Sequence, residues 1–130
     1  MCLNSVMDLS RRCFAALALS AMLALGGCTW PISDPVKLSA IRAEAEVLRK
    51  RHPIEPPRHW VNLPKSQWPP VIASLKPESV TVFQWGINIS IKPYFDGGWG
   101  YHVSRSRREL PMLEGCYSEI SDGVFWHGPC

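Results

Sequence analysis

Six prolines lie between Pro53 and Pro70, at positions 53, 56, 57, 64, 69 and 70. Proline lacks the backbone N–H and fixes φ, so this stretch supports neither a long helix nor a central strand. It reads as an extended, partly polyproline-like connector that wraps the domain, since Trp60, Val61, Leu63 and Trp68 need burial. The chain is thereby divided into a helical part before the prolines and a strand-rich part after them.

On the N-terminal side, Asp34 followed by Pro35 has the form of an N-cap and first helical residue, and predicts a helix from Pro35 to about Arg51. Leu38, Ile41, Ala45 and Leu48 recur at steps of three and four and form a narrow apolar seam, while Lys37, Arg42, Glu44, Glu46, Arg49 and Lys50 occupy the other faces. Such a seam serves either to lay the helix on its own domain or to receive a partner helix. Glu46 and Lys50 form a favourable i,i+4 pair, the basic end Arg49-Lys50-Arg51 complements the helix dipole, and Pro53 stops the helix.

Beyond the connector, Val71 to Leu75 suggests a short helix begun by Pro69-Pro70. Val80 to Gln84 is rich in β-branched and aromatic residues, and Ile87, Ile89 and Ile91 alternate with Asn88, Ser90 and Lys92. These are two strands joined around Trp85-Gly86, the second with one buried face. Asp96-Gly97-Gly98 makes a turn into a third strand, Trp99 to Val103. A last hairpin joins Cys116 to Ile120 with Val124 to His127, its two arms otherwise having little to bury. The expected fold is α+β: an N-terminal amphipathic helix, a proline-rich connector with a short helix, and a small antiparallel meander.

Ahead of the domain stand a short head ending in Arg11-Arg12, an apolar core from Phe14 to Leu25, and Leu25-Gly26-Gly27-Cys28. The core matches the roughly 7 to 15 residues of an export signal and falls short of the about 20 that a spanning helix needs. The final four residues resemble the lipobox of bacterial lipoprotein precursors. That resemblance implies cleavage before Cys28, acylation of Cys28, and attachment to the membrane on the periplasmic side. Gly26 and Gly27 leave the scissile backbone unobstructed, and the Cys28 thiol supplies the nucleophile. Each buried methylene contributes about 0.8 kcal/mol, so two or three chains hold where one binds marginally. Thr29 stands where an aspartate commonly marks inner-membrane retention, so the resemblance favours the outer membrane. Ser10-Arg11-Arg12-Cys13-Phe14 also resembles the twin-arginine export motif, departing from it at Ala15 and Ala16, and translation from Met7 would leave a complete leader. The chain thus divides into a leader (1–27), a short tether (28–34) and one domain (35–130).

Removal of residues 1–27 leaves 103 residues, enough for one modest domain. The whole chain has a net charge of +3, of which Arg11, Arg12 and Asp8 carry +1 away with the leader. The remainder is too mildly basic to argue for nucleic acid. Cys2 and Cys13 also leave, and with Cys28 acylated, Cys116 and Cys130 remain to pair in an oxidising compartment.

No catalytic signature is legible in the domain, and no cofactor is implied. A metal site from Cys116, Cys130, His102 and His127 lacks the close ligand spacings of such sites. Cys116 could act as a nucleophile with His102 or His127 only as a free thiolate, and His52 and His59 flank prolines. Asp96, Glu109, Glu114, Glu119 and Asp122 are the carboxylates from which a hydrolytic pair would have to come. Asp96-Gly97-Gly98-Trp99-Gly100 lacks the following helix of a phosphate loop. The basic run Arg105, Arg107 and Arg108 suggests either a solvated edge or a docking patch for an acidic partner or phosphorylated lipid headgroups, with Trp99 and Tyr101 as aromatic anchors. These observations suggest a binding or scaffold module of the envelope contacting a protein partner; an inhibitor of a toxin or lytic enzyme, and a small envelope hydrolase, are the alternatives.

Overall fold

The computed structural model describes residues 31–95 and 97–130. The leader, Cys28 and Trp30 therefore lie outside the described residues, as does Asp96. Helix α1 spans Pro35–Arg51, and the Asp34 carboxylate accepts a hydrogen bond from the Val36 N–H at 3.0 Å, as an N-cap should. Strand β1 is Trp60–Leu63, helix α2 Pro70–Ser74, and strands β2 to β6 are Ser79–Phe83, Gly86–Lys92, Trp99–Ser104, Tyr117–Ser121 and Val124–His127. Three single 3-10 turns, at Lys65–Gln67, Arg107–Glu109 and Glu114–Cys116, lie between them. The six strands form one antiparallel sheet in the order β1-β2-β3-β4-β6-β5.

One face of this sheet receives α1. Leu38, Ile41, Ala45 and Leu48 are buried, and they share a core with Leu63, Ile72, Val80, Val82, Ile87, Ile89, Tyr101, Val103 and Val124. The seam of α1 is consequently spent inside the domain, which removes it as a surface for a partner helix. Burying an aliphatic side chain of this size contributes about 1.5–3 kcal/mol, so the seam's four residues hold the helix far more firmly than its ion pairs do. Glu46 pairs with Arg49 at 3.1 Å and with Arg105 at 3.4 Å rather than with Lys50, because Arg105 leaves the end of β4 beside it. Glu44 joins the two helices: its carboxylate accepts from the N–H groups of Val71 (3.0 Å) and Ile72 (2.8 Å), satisfying donors that open α2.

The expected α+β fold, a helix, a connector with a short helix and an antiparallel sheet, is present, and two details within it differ. The proline-rich segment contains an edge strand, β1, which pairs with β2 from Trp60↔Phe83 to Leu63↔Val80. Pro57 and Pro64 bracket these four residues without interrupting them, and an edge position tolerates such a short, bounded strand. Trp68 closes the segment by donating from Nε1 to the Leu63 carbonyl at 3.0 Å, whereas Trp60 is exposed rather than buried.

The strands after β4 also do not continue a simple meander. β6 pairs with β4, and β5 is displaced to the outer edge. The reason lies in what each arm carries. Val124, Phe125 and His127 of β6 are buried on both faces of the sheet, while Ser118 and Glu119 of β5 are exposed. The apolar arm takes the interior position, so the last hairpin buries more than its sequence suggested.

A disulfide joins Cys116, just before β5, to Cys130, just after β6, with the Cα atoms 5.8 Å apart. It closes the final hairpin as expected. Cross-linking a loop of about 15 residues contributes on the order of 3 kcal/mol by restricting the unfolded chain. Reduction should lower the urea midpoint by an amount equivalent to that energy, measured by far-ultraviolet circular dichroism; an unchanged midpoint would mean that the hairpin is held by packing alone.

Candidate functional site

The face of the sheet opposite α1 carries a second, more polar cluster. Strand alternation puts Asn88 of β3, His102 of β4 and Phe125 of β6 in one row, with His127 and Tyr117 in the neighbouring positions of β6 and β5. Trp85 lies against His102 with ring centroids 4.7 Å apart, and the His102 and His127 rings, tilted by 51°, have centroids 4.2 Å apart. The segment between β4 and β5 folds over this group. Its Met112 N–H donates to the Tyr117 hydroxyl at 3.3 Å, and Arg107 lies 5.9 Å from the centre of the Phe125 ring.

The Tyr117 hydroxyl accepts from the Met112 N–H and shares a hydrogen bond with His102 Nδ1 at 2.7 Å. His127 Nδ1 lies 3.1 Å from the Gly98 carbonyl and therefore carries a proton. Both rings are buried and neutral. Burial pushes the His102 pKa down to about 3, with the adjacent His127 adding to the effect, and burial likewise lowers that of His127. His127 Nε2 and Asn88 Oδ1 are buried and have no hydrogen-bond partner among the described residues.

This arrangement does not assemble nucleophilic chemistry among the described residues. Ser104 spends its proton on backbone carbonyls, those of Trp85 at 2.9 Å and Ser106 at 3.1 Å. Cys116 is tied to Cys130, and the Nδ1 atoms of His102 and His127 are engaged by Tyr117 and the Gly98 carbonyl. No group of three or more potential metal ligands occurs among the described residues. The carboxylates are dispersed: Asp122 pairs with Arg42, Glu114 with Arg107, and Glu109 approaches Ser104.

The residues suggested for a docking patch are likewise not brought together. Arg105 turns to Glu46 on α1, while Arg107 binds Glu114 (3.4 Å) and the Tyr117 carbonyl (3.3 Å) on the opposite side of the sheet. Arg108 is exposed. Tyr101 is buried in the helix-side core, where its hydroxyl accepts a hydrogen bond from the Ile32 N–H at 2.9 Å. Trp99 stands at the start of β4, the strand's other end from Arg105, so the expected combination of arginines and aromatic anchors does not form one surface.

Trp99 belongs instead to a different group. Tyr94 meets it edge-on at 5.8 Å, the Lys92 ammonium lies 5.3 Å from its ring centre, and Phe95 beside Tyr94 is wholly exposed. The Asp96-Gly97-Gly98 pattern predicts only a turn here, and Tyr94-Phe95 directly before it is the sequence signal for the aromatic group. An open groove of about 700 Å³ also lies between α1 and the segment 66–70, lined in part by Val47, Arg51, His52 and Trp68. No family model, no curated protein and no solved structure matches this chain.

Proposed function

We propose that the protein is a lipoprotein of the bacterial cell envelope, anchored through acylated Cys28 and facing the periplasm, with the outer membrane as its site. Its domain serves as a binding or scaffold module rather than as an enzyme. The observation that carries this reading is the placement of Leu25-Gly26-Gly27-Cys28 after an apolar core of signal length and immediately before the domain.

The domain's own start supports it. The Ile32 N–H donates to Tyr101, and Ile32 packs on the core, so the folded chain begins only four residues after Cys28. At about 3.3–3.6 Å per residue, that link reaches at most about 14 Å. The free tether is thus shorter than the span from 28 to 34, and the domain works at the bilayer surface. A disulfide between Cys116 and Cys130 fits an oxidising compartment. The non-enzymatic reading draws on the committed hydroxyl of Ser104, the buried neutral histidines and the dispersed carboxylates described above.

Substituting Cys28→Ala should move the protein from the membrane fraction to the soluble fraction after cell breakage, with the domain's thermal transition unchanged. Retention of the variant in membranes to the same extent as the natural protein would show that Cys28 is not the anchor.

A further inference from the structure

We infer that the segment 106–115 is an acid-released strap: it closes over the His102 and His127 pair at neutral pH and lifts from the sheet when the pair takes up protons, uncovering the aromatic face beneath it. The device is independent of how the protein is anchored.

The strap is weakly held. None of its residues is buried, and Leu110 and Met112 are only half-buried, so it contributes nothing to the core. It also adds no strand to the sheet. Among the described residues, its hydrogen bonds to the sheet end on Ser104, where it begins, and on Tyr117, where the chain rejoins the sheet. Both of its ends are fixed. The Ser104 N–H donates to the Gly123 carbonyl at 3.0 Å, and Cys116 is bonded to Cys130. The middle of the strap can therefore lift while the six strands stay paired.

What it covers is a pair of rings that resists charge. His102 and His127 are 5% and 3% exposed, with centroids 4.2 Å apart, so two imidazolium ions there would repel each other in a setting with little water to screen them. The charged and titratable groups around them are Tyr117 and Glu119 of β5, Lys92 of β3, and Arg107, Glu109 and Glu114 of the strap. Glu114 is paired with Arg107, Glu109 approaches Ser104, Lys92 lies over Trp99, and Glu119 is exposed. Among the described residues, neither imidazole has a carboxylate as an ion-pair partner. His127 Nε2 and Asn88 Oδ1, buried without hydrogen-bond partners, gain water once the face opens.

Tyr117 joins the sensor to the strap. Its hydroxyl accepts from the Met112 N–H of the strap at 3.3 Å and shares a hydrogen bond with His102 Nδ1 at 2.7 Å, so the charge state of His102 is felt at the atom that holds the strap. Closed, burial keeps both rings neutral. With the strap lifted, the rings meet water and titrate near the ordinary histidine value of about 6.5. Above that pH the closed form has its full advantage. Below it the lifted form gains about tenfold per pH unit for each ring, which amounts to about 25-fold between pH 7 and 5 through His102 alone.

Amide exchange of the processed protein, labelled with nitrogen-15 and followed by NMR at pH 7, 6 and 5, tests the device once rates are corrected for intrinsic chemistry. The Met112 N–H reports the strap, and the Ile89 N–H, in the interior strand β3, reports unfolding of the whole domain. Met112 protection should fall about 25-fold or more from pH 7 to 5, stay below that of Ile89 throughout, and be insensitive to urea below the unfolding transition. In His102→Gln the fall should shrink. Absence of Met112 protection at pH 7 would overturn the closed strap, and protection that does not fall with pH, or falls equally in His102→Gln, would overturn its coupling to the histidines. Exchange of Met112 that matches Ile89 in rate and urea dependence would show that the strap leaves only when the domain unfolds, and would overturn the proposal as well.

Discussion

Lowering the pH from 7 to 5 should destabilise the domain by about 2 kcal/mol through His102 alone, with a further contribution of the same sign from His127. Both imidazoles are held neutral in the cluster, so their folded pKa values lie below that of an exposed histidine. As the pH falls past about 6.5, the unfolded chain takes up protons that the folded chain refuses. The folded state loses about 1.4 kcal/mol per pH unit for each such group, until the folded pKa is reached, near 3 for His102. The stability is thus fully present above about pH 6.5 and is lost progressively below it. The charged and titratable neighbours are His127, Tyr117, which shares a hydrogen bond with His102 Nδ1, and Arg107, which lies over Phe125 and would repel an imidazolium further. Urea midpoints at pH 7, 6 and 5 measure the effect, and His102→Gln should flatten the slope. A midpoint that does not move across this range would mean that the histidines are accessible to protons in the folded protein.

Ile41→Ala should cost about 2–5 kcal/mol, the range for removing a large aliphatic side chain from a packed core. Ile41 sits in the middle of the α1 seam with no exposed surface, against the sheet residues that form the core. Val36→Ala on the same helix, at a position 77% exposed, should change stability by less than about 0.5 kcal/mol. The contrast is diagnostic. If α1 offered its seam to a partner helix, Ile41→Ala in the isolated protein would resemble Val36→Ala, and chemical denaturation of the two variants decides between them.

What could be read from the sequence followed from how local each signal is. Asp34-Pro35 and the step of Leu38, Ile41, Ala45 and Leu48 set the helix and its buried face, since a helix is stabilised by residues within a few positions of one another. Ile87 and Ile89 likewise declared a buried strand face by alternation. Strand β1 was hidden because prolines depress the pattern on both sides of it, and only its pairing with β2 reveals Trp60–Leu63 as a strand. The exchange of β5 and β6 was not legible for another reason. A hairpin's turn residues specify that its arms pair, but which arm meets β4 is settled by burial across the whole sheet.

The same distinction explains the candidate sites. His102 and His127 come from strands brought together by the register Gly100↔His127, and nothing near either residue announces the meeting. Arg105 and Arg107, two positions apart in sequence, diverge to opposite sides of the sheet because they follow the end of β4, where the chain leaves towards β5. Trp99, expected beside the arginines, has Lys92 and Tyr94 across the hairpin as its companions instead.

The chemical state of Cys28 decides how the protein is attached, and intact mass spectrometry of the protein purified from membranes reads that state directly. The predicted result is a chain that begins at Cys28, heavier than the 28–130 polypeptide by its lipid, and lighter by two hydrogens for the Cys116–Cys130 disulfide. A chain that retains residues before Cys28, or that begins there with an unmodified cysteine, would contradict it.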